Sequence, residues 1–359
     1  MSEIPEIVES GLTPLAALAS ASDLQMHLGR ITPRVFTDAA SEFASLVHAA
    51  AVFDLGYLTR ISITGEDRLR WLNGMVTNTV QSLPQGYGNY TLILNAQGRI
   101  QGDGYVYREA NRLLLETDRS QSPRLIPHLD HFIIMDDVEL QELDASNTAL
   151  GLAGPQAPNI LNNLGLPVPD SLAFTPATLQ GIPLTVVGAY SVLVPRFELW
   201  IAAEHIADVW RILTEAGARP AGVQSLECLR ILEGVPRYGV DMNDRHLPQE
   251  INQPRALNFN KGCYLGQEIV ERIRSRATVH RSLRQFELIG ETPSSVVELR
   301  AEGDDKPVGE ITSASHYSLP GLTRTLAIGI VRVEVLERKS NLTYSGGRAI
   351  PLDAPPALP

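Results

Sequence analysis

The stretch Tyr90-Thr91-Leu92-Ile93-Leu94-Asn95-Ala96-Gln97-Gly98-Arg99-Ile100-Gln101-Gly102-Asp103-Gly104-Tyr105-Val106-Tyr107 reads as two strands joined by a turn. Tyr90 to Leu94 is rich in strand formers, Asn95 to Gly98 supplies residues that tolerate tight backbone, and Gly104 to Tyr107 resumes the β pattern. That is a hairpin. Strands joined by short turns pair antiparallel, and helical periodicity flanks this one, so the fold class is α+β.

Outward from the hairpin, Phe43, Leu46, Val47 and Ala50 recur at helical spacing within Ala39 to Ala51, and Arg60 to Thr64 alternates as a strand that ends at Gly65. Asp67 to Met75 reads as helix, Leu113 to Glu116 as strand, Pro123 to His131 as helix and Val138 to Leu143 as strand. The Pro, Gly and Asn content of Leu161 to Pro183 predicts a loop or insertion. Leu184 to Val235 is a second α+β stretch, with a helix from Ile206 to Ala216 that Gly217 ends. From Leu283 onward the strands Phe286 to Ile289, Val308 to Thr312 and Ala327 to Val333 predict a small barrel or sandwich.

The 359 residues exceed what one hydrophobic core usually organises, so two or three domains are expected, and 44% apolar with 20% charged residues is an ordinary globular balance. The net charge of -11 disfavours non-specific binding to nucleic acid. No apolar run approaches the roughly 20 residues that span a bilayer, and Met1 to Ser10 is acidic, so a cytoplasmic protein with no membrane partner is expected. Two cysteines, Cys228 and Cys263, make neither a disulfide framework nor a metal-ligand pair, and no metal is expected.

Chemistry concentrates at Lys261-Gly262-Cys263-Tyr264-Leu265-Gly266-Gln267-Glu268, ahead of a helix-like run to Arg276. From Arg255 to Arg284 seven cations stand against Glu268 and Glu271, a local charge of +5 in an acidic chain. Cations and a helix N-terminus favour thiolate, so Cys263 is a candidate reactive thiol with Lys261 beside it. The alternative is a small packed cysteine between two glycine turns, next to a solvated helix face. Cys228, within an apolar helical pattern, reads as core. His128 and His131 have ligand spacing on a helix but no fixed third ligand, and no P-loop or dinucleotide fingerprint is present.

Lys-Gly-Cys-Tyr with Gly-Gln-Glu after it resembles the hallmark of the YgfZ family, folate-dependent proteins of iron-sulfur cluster assembly or repair, related to the glycine-cleavage T-protein. Further matches run along most of the chain, through Thr13, Asp54, Asp67, Asn78, Asn95, Gly98, Gly154, Arg230, Gly234, Asp241, Pro248 and Gly309. The resemblance implies a three-domain cloverleaf around a central folate channel. Its expected parts are a discontinuous α+β folate-binding domain (1–53 plus 146–275), an inserted α+β domain (54–145) and a C-terminal β-barrel domain (276–359).

By the same resemblance the cofactor is tetrahydrofolate or a one-carbon derivative. Glu250 of Pro-x-Glu would recognise the pterin, with Asp103, Tyr90 and Arg276 as further folate contacts. Cys263, Lys261 and Asp103 are the candidate catalytic groups, and iron-sulfur client or assembly proteins are the expected partners. The T-protein carries paired carboxylates after its glycine turn; here Gly102 replaces one and Asp103 remains. That departure weighs against the aminomethyltransferase alternative, in which a one-carbon unit passes from a lipoyl carrier protein to tetrahydrofolate. A partner-binding adaptor without catalysis is the third reading.

Overall fold

A computed structural model describes residues 11–18, 23–144, 146–276, 279–319 and 322–358. The chain divides into two compact units: Met1–Asn73, Thr79–Tyr90 and Gly104–Leu226 form the first, and Gly74–Asn78, Thr91–Asp103 and Glu227–Pro359 the second. Among the described residues no helix is long and apolar enough to cross a membrane.

The first unit holds a six-stranded sheet in the spatial order Phe174–Leu179, Ile182–Gly188, Arg196–Ala202, Asn147–Ala153, Ala51–Asp54, Arg219–Pro220. The helices Ala39–His48, Ala157–Asn163 and Ile206–Glu215 belong with it. Asp38 opens the first of these by accepting the Ser41 N–H at 2.9 Å, which satisfies a donor that the helix leaves unpaired. Val52, Leu150, Leu152, Leu199, Ile206, Val209 and Leu213 meet in its core. Close packing explains Gly151: a Cβ there would lie 1.9 Å from the Phe53 ring.

The expected loop between Leu161 and Pro183 is corrected here. It contains the strand Phe174–Leu179, paired with Ile182–Gly188 from Phe174↔Val187 to Leu179↔Ile182. Pro176 misled the reading because proline removes a ladder donor, but this strand is the sheet's edge, where proline is tolerated.

A five-stranded sheet runs Gly88–Leu94, Ile100–Arg108, Leu113–Asp118, Leu58–Thr64, Glu139–Glu142, which contains the predicted hairpin. In the second unit the C-terminal strands close into a barrel, in the order Arg281–Gly290, Leu322–Arg332, Gly309–Leu319, Val297–Ala301, Leu342–Tyr344, Gly347–Leu352. Phe286, Leu299, Ile311, Ala327 and Val331 fill it, as alternating strands of a small closed barrel require. Gln285 ties the barrel to a helix end, donating to the carbonyls of Ile231 at 2.6 Å and Leu232 at 2.8 Å. Ile231 O also accepts from Gly234 N at 3.1 Å, so the amide adds a side-chain cap to the helix C-terminus.

Candidate functional site

Two clusters of chemistry-bearing side chains stand out, one in each unit. The second unit's cluster is the cysteine loop, and backbone contacts fix its course. Asn258 N donates to Thr77 O at 3.1 Å, and Leu265 N to Gly74 O at 2.9 Å. Thr77 Oγ1 reaches Ala256 O at 2.6 Å and Asn78 Nδ2 reaches Arg255 O at 2.9 Å. Lys261 Nζ donates to the carbonyls of Val76 at 2.5 Å and Asn78 at 2.7 Å and lies 5.0 Å from the Tyr264 ring centroid. Burial of that amine pulls its pKa down to about 7. Lys261 thus ties the loop to residues 76–78.

Gly266, with φ +80°, ends the loop and leads into the helix Gln267–Arg276. A Cβ on it would come within 2.6 Å of Asn95 O, and one on Gly98, with φ +71°, within 2.9 Å of Ile269 Cβ. The hairpin turn and the helix start therefore interlock only because both residues lack side chains. Cys263 stands exposed between these anchors. Gly266→Ala is expected to cost about 2 kcal/mol or more from the left-handed backbone and the overlap together. A lowered thermal midpoint and faster iodoacetamide labelling of Cys263 would register it; an unchanged midpoint would refute the interlock.

The turn itself is braced twice. Asn95 Oδ1 accepts from Gln97 N at 3.0 Å and Arg99 N at 2.9 Å, while Arg99 Nη1 donates to Arg245 O at 2.6 Å and Ile100 N to His246 O at 3.1 Å. Burial lowers the pKa of His246, whose Nδ1 accepts from Asn243 N at 3.0 Å. Four residues on, buried Glu250 accepts from Leu247 N at 2.9 Å through one oxygen and from Arg281 Nε at 3.0 Å through the other. Both oxygens of the residue expected to read a pterin are engaged within the chain.

Along Ile100–Arg108 burial alternates, with Gly102 on the buried face and Asp103 half-buried on the other. Because strand side chains alternate, a carboxylate at position 102 would project away from the one at Asp103. Arg274 lies 4.2 Å from the Phe259 ring and 3.6 Å from Glu271. Arg276 ends the helix, and its side chain lies outside the described residues. Cys228 is buried, as its apolar setting predicts, and burial pushes its thiol up to about 12.

The first unit's cluster escaped the sequence reading except for Tyr90. Tyr90 contacts Tyr105 at 5.2 Å between centroids, and Tyr107 meets Trp200 edge-on at 5.0 Å and Phe174 at 5.8 Å. Behind these rings Arg60 lies 4.6 Å from the Trp200 centroid and 3.4 Å from Glu116 Oε2. Trp200 Nε1 donates to Glu198 Oε2 at 3.1 Å. Burial, then the charge of Glu198, pushes the Glu116 carboxyl well above its ordinary range, against the pull of Arg60.

One carboxyl, Glu116, thus pairs with Arg60, while Glu198 beside it is held by Trp200 Nε1 among aromatic rings. A signal existed: Leu113-Leu114-Leu115-Glu116 and Phe197-Glu198-Leu199-Trp200 each place an acid inside an apolar strand, where a charge is costly unless it is paired or used.

Comparison with known proteins places the chain in a family. The family described as the GCVT N-terminal domain matches residues 21–261. An aminomethyltransferase of Streptomyces coelicolor is 26% identical over 294 residues, 79% of this chain and 78% of its own. One of Thermus thermophilus is 27% identical over 328 residues, 89% of this chain and 90% of its own. A chloroplastic Arabidopsis thaliana protein with a provisional transferase name is 27% identical, and there the match spans 62% of the relative's length. Among solved structures, the glycine cleavage system aminomethyltransferase T of Bartonella henselae superposes with a TM-score of 0.84 at 17% identity, covering 95% of this chain and 96% of that one. The fold is shared with that protein.

Proposed function

The chain belongs to the GCVT N-terminal domain family, and from that membership we propose that it binds tetrahydrofolate and acts, through the thiol of Cys263, in assembly or repair of iron-sulfur proteins. Aminomethyltransferases of this family use tetrahydrofolate as the one-carbon acceptor. The observation that carries the folate half is the buried Glu116–Glu198 pair with its aromatic surround. An aminopyrimidine presents two adjacent N–H donors and a flat ring; an ionised carboxylate accepts both, and aromatic walls pack the ring. With two acids to one Arg60, the cluster keeps an acceptor in excess.

In this reading the Glu198 carboxyl, which already accepts from Trp200 Nε1 at 3.1 Å, turns its remaining lone pairs to the aminopyrimidine edge, with Glu116, whose carboxyl burial pushes well above its ordinary range, beside it. Tyr90 adds ring surface, and Glu250 braces the cysteine loop's supports through Leu247 and Arg281. Asp103, in the second unit, is the one carboxylate left beside Gly102. The cofactor, when bound, supplies a nitrogen pair that carries one-carbon units. The chain's own contribution is to orient it, exclude water and present a nucleophilic sulfur.

The thiol half rests on the exposure of Cys263 in a loop held at both ends. The family match ends at residue 261, two positions before that cysteine, so the thiol needs a test separate from the folate. Calorimetric titration with tetrahydrofolate is expected to give saturable heat for wild type and for Cys263→Ala alike. The same variant is expected to fail to complement a strain deficient in iron-sulfur repair. Absent heat would reject folate binding, and full complementation by Cys263→Ala would reject the thiol role.

Aminomethyl transfer is the second reading, favoured by relatives of that name matched over most of their length. Gly102 weighs against it, since loss of a positioned carboxylate typically costs a factor of about 10² or more in rate. Turnover with an aminomethyl-loaded lipoyl carrier protein would select it.

A further inference from the structure

The barrel carries a groove of about 530 Å³ between the turn that follows the helix Val333–Glu337 and the outer side of the strand Gly347–Leu352. Arg284, Lys339 and Arg348 line it, and Asp353 is the one acid among its lining residues. Among the described residues none of these three cations is paired with a carboxylate, because the nearby acids serve other arginines: Glu287 meets Arg324 at 3.6 Å and Glu334 meets Arg338 at 3.5 Å. In a chain of net charge -11, three uncompensated cations around one concavity need an account.

The groove's shape narrows the ligand. Arg348 and Ile350 flank buried Ala349 along the strand, so they project from the barrel's outer face together with Leu352. Ile289 pairs with Arg348 and Gln285 with Leu352, so Arg284 lies one residue past that register, on the opposite face of its strand by alternation, and lines the groove from its far end. Five residues of strand separate the levels of Arg348 and Arg284, about 16 Å. A single phosphate or a short dicarboxylate cannot reach both ends. An extended chain with carboxylates several residues apart can, and its apolar side chains would cover Ile350 and Leu352. Lys339 holds φ +52°, a conformation costing about 1 kcal/mol in a residue with a side chain, so glycine would be the easier choice there if the amine had no use.

We propose that this groove binds an extended acidic peptide, with carboxylates on Arg284, Lys339 and Arg348 and apolar residues between them on Ile350 and Leu352. The site belongs to the barrel alone and is independent of folate binding. Its occupant is a segment of a partner protein, recognised by charge complementarity and an apolar stripe.

The test uses the full chain and a fluorescein-labelled octapeptide Glu-Glu-Leu-Leu-Glu-Glu-Leu-Leu, which when extended puts both residue types on each face, followed by anisotropy. Binding is expected to weaken steeply from about 20 to 200 mM salt, over a range that shortens the screening length. It should fall at least about tenfold in the triple variant Arg284→Ala/Lys339→Ala/Arg348→Ala. Arg348→Lys, which keeps the charge, should retain most of the affinity, and circular dichroism melting should confirm that every variant is folded. Equal binding by the triple variant, equal binding of a Gln-Leu octapeptide, or displacement by pyrophosphate as effective as by the unlabelled acidic peptide would each overturn the proposal. Tetrahydrofolate titration of the triple variant should match wild type, which separates failure here from failure of the folate reading.

Discussion

Asp241→Ala is expected to lower the stability of the second unit by about 3–5 kcal/mol, the typical cost of removing one partner from a buried ion pair. The Asp241 side chain is fully buried, and four donors converge on it. Arg230 Nη1 reaches it at 2.6 Å, Arg237 N at 2.9 Å, Thr312 Oγ1 at 2.6 Å and Ser313 Oγ at 2.7 Å. The carboxylate thus links the helix Val223–Leu232, the turn after it and the barrel strand Gly309–Leu319. Burial works against the Arg230 charge, and Asp241 with Glu227 more than offsets it.

Without Asp241 the guanidinium keeps Glu227, at 2.7 Å, and the Val235 carbonyl, at 2.6 Å, but loses its fully buried counter-charge. Asp241→Asn keeps the volume and one acceptor, so it should cost less than the alanine. Urea unfolding at neutral pH reads both as midpoint shifts at constant slope. A midpoint for Asp241→Ala within error of wild type would mean that the network is dispensable.

The sequence made the secondary structure legible where periodicity was strong. The hairpin around Asn95–Gly98, the helix Ile206–Glu215 and the C-terminal barrel all follow from alternation, helical spacing and turn residues. It failed at Phe174–Leu179, because edge strands admit the prolines that composition reads as loop. For the sites, a motif exposed the cysteine loop, since its residues are consecutive. Glu116, Glu198, Arg60 and Trp200 come from three strands: Leu58–Thr64 pairs with Leu113–Asp118 in one sheet and Arg196–Ala202 lies in another, so only packing of one sheet on the other brings them together. The interlock of Gly98 with Ile269 was equally hidden. Each glycine looks like an ordinary turn residue until the backbone it approaches is known.

The Glu116–Glu198 pair gives the other large expected effect, and two variants should separate its structural from its ligand role. Glu116 has its folded pKa raised above the ordinary 4.5, first by burial and then by Glu198. Above pH 4.5 the unfolded chain has lost this proton while the folded chain keeps it, so the folded state binds more protons. Its contribution to stability therefore falls as pH rises from 4.5 toward the raised folded value. Glu116→Gln keeps a donor toward Glu198 without titrating. Relative to wild type, it should gain stability steadily from about pH 5 to 8, in thermal melts taken pairwise at each pH.

Glu198→Gln acts on the ligand instead. An amide in place of the carboxylate offers one acceptor and turns an NH2 toward the aminopyrimidine's own donors. Hydrogen bonds to a charged acceptor are worth about 1.5–3 kcal/mol, so tetrahydrofolate affinity should drop roughly 100-fold. Calorimetry at neutral pH measures this directly, and a loss of less than about threefold would remove Glu198 from the binding site. The opposite readouts matter because burial alone explains the first result, whereas only contact with the ligand explains the second.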